Sequence, residues 1–266
     1  MLYRHFILLC CFTISVCVGC AVNPVTGKRE LMLVSESEDL EIGQKYAPEI
    51  TKELGGEIPN EALQSYINSL GQKIAAVSDR PDWTYHYTAV NDNSVNAFAL
   101  PGGYIFITRG LLDKLQNESQ LAAILSHETV HVVARDTANV MSNEIGINIL
   151  LSAVTSEETS DTVLTVANLS KQIIGLKYSR QDEKEADLGG LRYMVRAGYD
   201  PHGMLETMKI LDSLQQGSVI DFFSTHPSPE NRIEYISNEI QRRYRNTADL
   251  RVGKEDFQIK VLSQLH

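Results

Sequence analysis

The chain has 266 residues, room for one large domain or two small ones, and its 43% hydrophobic and 22% charged content is ordinary for a globular protein. A formal net charge of −10 argues against nucleic acid as a partner, because a polyanion selects a basic surface. All four cysteines (Cys10, Cys11, Cys17 and Cys20) precede residue 21, which excludes a disulfide framework and a cysteine-rich zinc site from the folded body.

At the N-terminus, Arg4 and His5 lead into an apolar run from Phe6 to Val18, followed by Gly19-Cys20. The run suits the core of an export signal and is short for a membrane-spanning helix; a buried N-terminal helix or a retained anchor is the alternative. Val18-Gly19-Cys20 resembles a bacterial lipoprotein signal with Cys20 as the lipidated first residue, although Cys17 stands where such signals usually carry Leu. Ala21 rather than Asp follows the cysteine, which by the same resemblance implies the outer membrane. The chain then divides into a signal peptide over 1–19, an N-terminal linker over 20–34 and one folded domain over 35–266.

Asn23 to Lys28 reads as a polar, turn-rich linker ahead of Glu30 to Val34. Ser35 with Glu38 forms a capping-box pattern for an acidic helix to about Glu53, with Pro48 as a possible kink and Gly55-Gly56 as its end. Asn60 starts a second helix through about Val77, in which Leu63, Ile67, Leu70 and Ile74 recur at helical spacing as core positions. Trp83 to Val90 alternates as a strand does, and His86 is most simply a sheet residue. Asn96 to Leu100 and Tyr104 to Ile107 read as short strands separated by Pro101-Gly102-Gly103. A small antiparallel or mixed sheet is thus predicted just before the next segment.

That segment, Ser119 to Asp136, is rich in Leu and Ala, lacks Gly and Pro, and has Asn117 as an N-cap with Gln120 at the capping-box position. It predicts an α-helix centred on His127-Glu128-Thr129-Val130-His131. His127 and His131 project from one face and can reach one metal ion, while Glu128 can reach a water on its open side; histidines so spaced are otherwise solvent-facing or satisfied by ordinary hydrogen bonds. The apolar flanks, Leu121 to Leu125 and Val130 to Val133, place the helix in a core, where unpartnered polar side chains are costly and a metal supplies a partner.

Beyond it, Met141 to Val154 reads as an apolar helix, Thr155 to Asp161 as a loop, and a further helix starts near Thr162. Helices follow over Asp182 to Ala197, Pro201 to Gln216, Pro229 to Arg245 and from about Lys254. The run Arg180 to Asp187 contains four acids; on a helix Glu183 and Asp187 share a face and Glu185 points elsewhere. A solvated acidic helix start explains such a run on its own. Paired with the two histidines, the same acids become a metal ligand and a carboxylate that orients an imidazole.

These pieces occur together with Asn23-Pro24-Val25-Thr26-Gly27, Asn96-Ala97-Phe98-Ala99, Pro101-Gly102-Gly103, Ser179-Arg180, Ala186-Asp187, and Thr225-His226-Pro227 with Arg232. In that order the chain resembles the zinc endopeptidases that include the CAAX prenyl protease and the bacterial HtpX proteins, and within them the soluble periplasmic lipoprotein members. The resemblance implies an α+β fold: a mainly helical, zincin-like metallopeptidase domain with a small β-sheet next to the metal-binding helix. It makes Glu183 the third ligand to one Zn²⁺ per chain, Glu128 the general base, and Asp187 the carboxylate behind a ligand, in some descriptions a proton donor. Asn96 and Ala97 fall on an edge strand that receives the substrate backbone, and Arg232 belongs with the substrate-binding residues and the His226 loop. His226, in a loop from Phe223 to Pro229 stiffened by two prolines, has three readings: a solvated surface-loop histidine, a donor to the tetrahedral oxyanion, or a removable fourth ligand. Membrane helices are missing, so prenylated substrates are not expected.

The expected activity is zinc-dependent hydrolysis of peptide bonds in misfolded or misassembled envelope proteins, on the periplasmic side of the outer membrane, with outer-membrane assembly machinery as a possible partner. An assembly chaperone or scaffold for outer-membrane proteins is the alternative, and a purely structural zinc is a third. Structural sites are closed by four protein ligands, and three are evident in the motifs.

Overall fold

The computed structural model describes residues 20–144, 173–215 and 221–265. The predicted leader, the Thr155 to Asp161 loop, the helix from Thr162 and most of the Met141 to Val154 helix lie outside them.

Strands β1 (Cys20–Val22) and β2 (Arg29–Leu31) form an antiparallel hairpin where the composition reads as a linker. Asn23 makes the difference: its backbone exchanges hydrogen bonds with Lys28 and Gly27, both at 2.8 Å, and its side chain accepts from Val25 N at 2.9 Å. Helix α1 (Glu36–Glu53) has the predicted Ser35/Glu38 capping box, and Pro48 lies within it without ending it. Helix α2 (Glu61–Ala75) is capped by Asn60 and buries Leu63, Ile67, Leu70 and Ile74, the predicted core stripe.

The sheet is mixed. Strand β3 (His86–Val90) runs parallel to β5 (Tyr104–Thr108), which lies between it and antiparallel β4 (Ala97–Leu100). Strand β3 starts later than the alternation suggests, and exposed His86 stacks on Tyr104 as an ordinary sheet residue. A single 3-10 turn, Pro101–Gly103, joins β4 to β5; Gly102 and Gly103 take φ of 76° and 91°, which side chains other than glycine rarely adopt.

After the short helix α3 (Arg109–Leu112), helix α4 (Glu118–Ala134) carries the histidines, and every one of its residues is buried. A helix hidden all round is a core element rather than a surface one. Asn117 caps it by accepting from Gln120 N at 2.9 Å, but the Gln120 side chain turns to Gln116 N and Glu206, so the reciprocal half of the box is absent. Helix α4 packs against the sheet, α2, α5 (Arg180–Arg196) and α6 (His202–Gln215). Its closest neighbour is α5, and the reason is Gly189-Gly190. A Cβ on Gly190 would stand 3.2 Å from His127 N, and one on Gly189 would stand 2.8 Å from Val130 Cγ2. Only at this approach do the acids of α5 reach the histidines. Helices α7 (Phe222–Thr225), α8 (Arg232–Arg243) and α9 (Lys254–Lys260) complete the described chain. The architecture is the predicted α+β arrangement. Among the described residues no helix is long and apolar enough to cross a membrane.

Candidate metal centre and active site

His127 and His131, one turn apart on α4, present their Nε2 atoms 3.1 Å from each other. Helix α5 supplies Glu183, whose carboxylate oxygens lie 3.5 Å from each of these nitrogens. Glu183 and Asp187 do share the inner face of α5, while Glu185 faces outward and pairs with Lys28 at 2.7 Å. The fourth member is His226. Rather than sitting on a surface loop, it follows α7 directly, donates its backbone N–H to Phe222 O at 2.9 Å, and stacks on the Phe222 ring at 4.5 Å. Its Nδ1 lies 2.8 Å from Glu183 Oε1 and 3.4 Å from His127 Nε2.

One donor atom from each of His127, His131, Glu183 and His226 lies within 4.8 Å of the others, and all four residues are buried. A tetrahedral shell of nitrogen and oxygen at about 2.0–2.1 Å from zinc requires donor-to-donor distances of about 3.3 Å. Five of the six donor pairs come to 2.8–3.5 Å, near that value, and the whole set lies within 4.8 Å. The residues therefore fit a single zinc ion. Glu128 points to the same place. It is fully buried, neither of its carboxylate oxygens has a hydrogen-bond partner, and Oε1 is 3.7 Å from His226 Nε2, which is likewise without one. A buried carboxylate left so is costly, and a water held in a cation's field relieves the cost.

Each ligand histidine leans on its own carboxylate. His127 Nδ1 meets Asp187 Oδ1 at 3.1 Å, and His131 Nδ1 meets Asp136 Oδ2 at 2.7 Å. Such contacts fix the tautomer so that Nε2 faces the metal. Asp136 is absent from the sequence-based site. Its only signal is its place immediately after Arg135, which ends α4 at φ 61° and lets the chain turn back toward His131. Tyr178 is a second omission: its ring stacks on His131 at 3.9 Å, and its hydroxyl is 3.0 Å from that of Thr137.

Arg232, expected among the substrate-binding residues, is instead buried, with Nε and Nη2 donating to Asp187 at 2.8 and 2.7 Å. Tyr235, one turn on, donates its hydroxyl to the same carboxylate. Burial pushes the Asp187 carboxyl up, but the Arg232 charge and the His127 hydrogen bond outweigh it and hold it below its usual value. Asp187 thus accepts from Arg232 and Tyr235 while facing His127 Nδ1, the position of a carboxylate that orients an imidazole. Glu183 is held well below its usual value in the same way: burial is outweighed by His226, His127 and His131. For His131, burial pushes the imidazole down, and Asp136 and Glu183 more than reverse this. The field at the site is negative and suits a dication.

Asn96 precedes and Ala97 opens β4, a sheet edge that packs on α4. Asn96 O accepts from Thr108 N at 3.1 Å inside the sheet, so by alternation the Ala97 backbone faces outward. Both residues are buried.

Residues 61–240 match the model of peptidase family M48. Curated relatives include the mitochondrial metalloendopeptidase OMA1 of Schizosaccharomyces pombe, 31% identical over 80% of this chain and 64% of the relative. The beta-barrel assembly-enhancing protease of Escherichia coli is 29% identical over 77% of this chain and 44% of the relative. A putative beta-barrel assembly-enhancing protease of Vibrio cholerae is 31% identical over 70% of this chain and 41% of the relative. The chain thus spans about half the length of the curated relatives it matches.

Proposed function

The chain belongs to peptidase family M48, and from that premise we propose that it is a zinc-dependent endopeptidase of unfolded or misassembled cell-envelope proteins. The observation that carries the reading is the buried set His127, His131, Glu183 and His226 with an unpartnered Glu128 carboxylate beside it. His127, His131 and Glu183 hold the ion, with Asp187 and Asp136 orienting the two imidazoles. When bound, zinc supplies Lewis acidity, polarising the scissile carbonyl and acidifying water. Glu128 accepts the proton of the attacking water and returns it to the leaving nitrogen, so that peptide C–N cleavage balances. The outward edge of β4 at Ala97, with Asn96, aligns the substrate backbone by strand addition.

His226 is the restraint on this chemistry. The closeness of its Nδ1 to Glu183 Oε1 and His127 Nε2 supports the removable-ligand reading over the oxyanion donor, because catalytic sites keep their fourth position open. The substrate class is supported by the bacterial relatives' names, which tie them to β-barrel assembly. Within the family, the motifs support the branch of the prenyl protease and HtpX proteins, in its soluble lipoprotein form. The N-terminal motif supports removal of residues 1–19, lipid attachment at Cys20, and a place on the periplasmic side of the outer membrane for the metallopeptidase domain over 35–266.

The test is Glu128→Gln in the purified protein, with zinc content and casein hydrolysis measured side by side. Zinc should remain at one per chain while turnover falls by about 10²–10⁴-fold, the worth of a general base. Undiminished hydrolysis would remove Glu128 from the mechanism; zinc without any hydrolysis in the parent protein, even after His226→Ala, would make the ion structural.

A further inference from the structure

The hairpin at the start of the described chain has an outer face that the peptidase chemistry does not use. Cys20 pairs with Leu31 and Val22 with Arg29, and side chains alternate across a strand, so these four residues share one face. Leu33 continues the alternation beyond β2. Val22 is 55%, Leu31 38% and Leu33 42% exposed, so this short stretch holds three of the six exposed large hydrophobics among the described residues. Isolated exposed apolar side chains need no explanation, but several on one face mark a contact surface.

The opposite side of the hairpin is joined to the catalytic body. Val25 packs against the main core, and its Cγ1 lies 3.5 Å from where a Cβ on Gly189 would stand. Lys28 pairs with Glu185 on α5, two residues from ligand Glu183, at 2.7 Å. Leu33 N donates to Ser142 Oγ at 2.9 Å, and Asn139 Nδ2 donates to Leu31 O at 3.2 Å. Whatever holds the outer face therefore sets the orientation of the metal centre.

We propose that the face of Cys20, Val22, Arg29, Leu31 and Leu33 lies on a phospholipid bilayer and fixes the peptidase body at one orientation to it. The occupant follows from the chain itself. Cys20, which bears the lipid in the reading proposed above, is the first residue of this face, so acyl chains attached there enter a bilayer at its edge. Arg29, amid the apolar side chains, suits lipid phosphates. One acyl modification binds membranes only marginally, and an apolar contact next to it supplies the second attachment that stable anchoring requires. The inference rests on the reading of Cys20 as the lipid-bearing residue.

The full chain should be expressed in bacteria, purified with its native processing, and reconstituted in phosphatidylethanolamine–phosphatidylglycerol vesicles. Single Leu33→Cys or Val22→Cys variants carry an environment-sensitive fluorophore, with Ile259→Cys, a position 64% exposed, as control. Brominated lipids should quench the labels at 22 and 33 at least about fivefold more than the label at 259. Retained zinc content certifies folding. Mass spectrometry of Cys20 separates the two readings. A lipidated protein whose labels at 22 and 33 stay in water overturns the face alone. A protein without lipid overturns the anchor reading and with it this proposal. Labels shielded before vesicles are added also overturn it, assigning the face to a second copy if the shielding is lost on dilution and to the chain's own residues if it is not.

Discussion

The two histidines of the candidate metal centre, His127 and His131, sit one turn apart on the same helix, yet they are held in different ways. His127 leans on Asp187, which is itself gripped by Arg232 and Tyr235 from a third helix. His131 leans on Asp136, five residues along its own chain, and on the flat of the Tyr178 ring. The first support is a long-range charge network; the second is local, with no cation behind the carboxylate among the described contacts. A fixed ion pair ties the metal centre to α8, so the His127 half reports on the integrity of the whole fold. The His131 half depends on the turn at Arg135 and on the ring of Tyr178.

Removing the carboxylates one at a time breaks this contrast most severely. Asp187→Asn leaves the Arg232 charge buried with its main partner gone, which costs about 3–5 kcal/mol. Thermal unfolding of the Asp187→Asn protein, with and without EDTA, should show a large loss in both. Asp136→Asn should instead lower zinc affinity by about 10–100-fold, measured by chelator competition, and leave the EDTA-treated protein nearly as stable as its parent. Equal damage to the metal-free protein from both changes would erase the distinction.

His226→Ala sharpens the picture at the open side of the site. If the closed arrangement dominates at rest, turnover of an unfolded substrate should rise by about tenfold, in proportion to the inverse of the open fraction. A fall of about a hundredfold would restore the oxyanion reading. At the small end, Glu185→Ala breaks the contacts with Lys28 and Gln181 on the outer face of α5. Such exposed pairs contribute little to stability, so zinc content and melting should barely move. Loss of zinc there would mean that the inner and outer faces of α5 have been exchanged.

The acids of α5 also show how far local pattern reaches. That Glu183 and Asp187 face one way and Glu185 another follows from helical spacing, as does the common face of His127 and His131. The caps at Ser35, Asn60 and Asn117, the core stripe of α2 and the strands around Pro101–Gly103 are equally local, because short-range sterics and hydrogen bonds decide them. Asp136, Tyr178 and Tyr235 carry no such pattern. A single Asp or Tyr acquires a role only when the fold delivers an imidazole or a carboxylate to it.

By itself, then, the sequence determined the described helices, the small sheet, the common face of His127 and His131, and that of Glu183 and Asp187 away from Glu185, since each depends on residues within a turn or two. Tertiary structure alone decided the rest. It placed Gly189-Gly190 against His127 so that α5 comes close enough for Glu183 to bind. It turned Arg232 inward to Asp187 rather than outward to substrate. It moved His226 from an apparent loop into the donor set. In each case the deciding contact joins segments tens of residues apart, and packing between helices, not propensity along one, sets the distance.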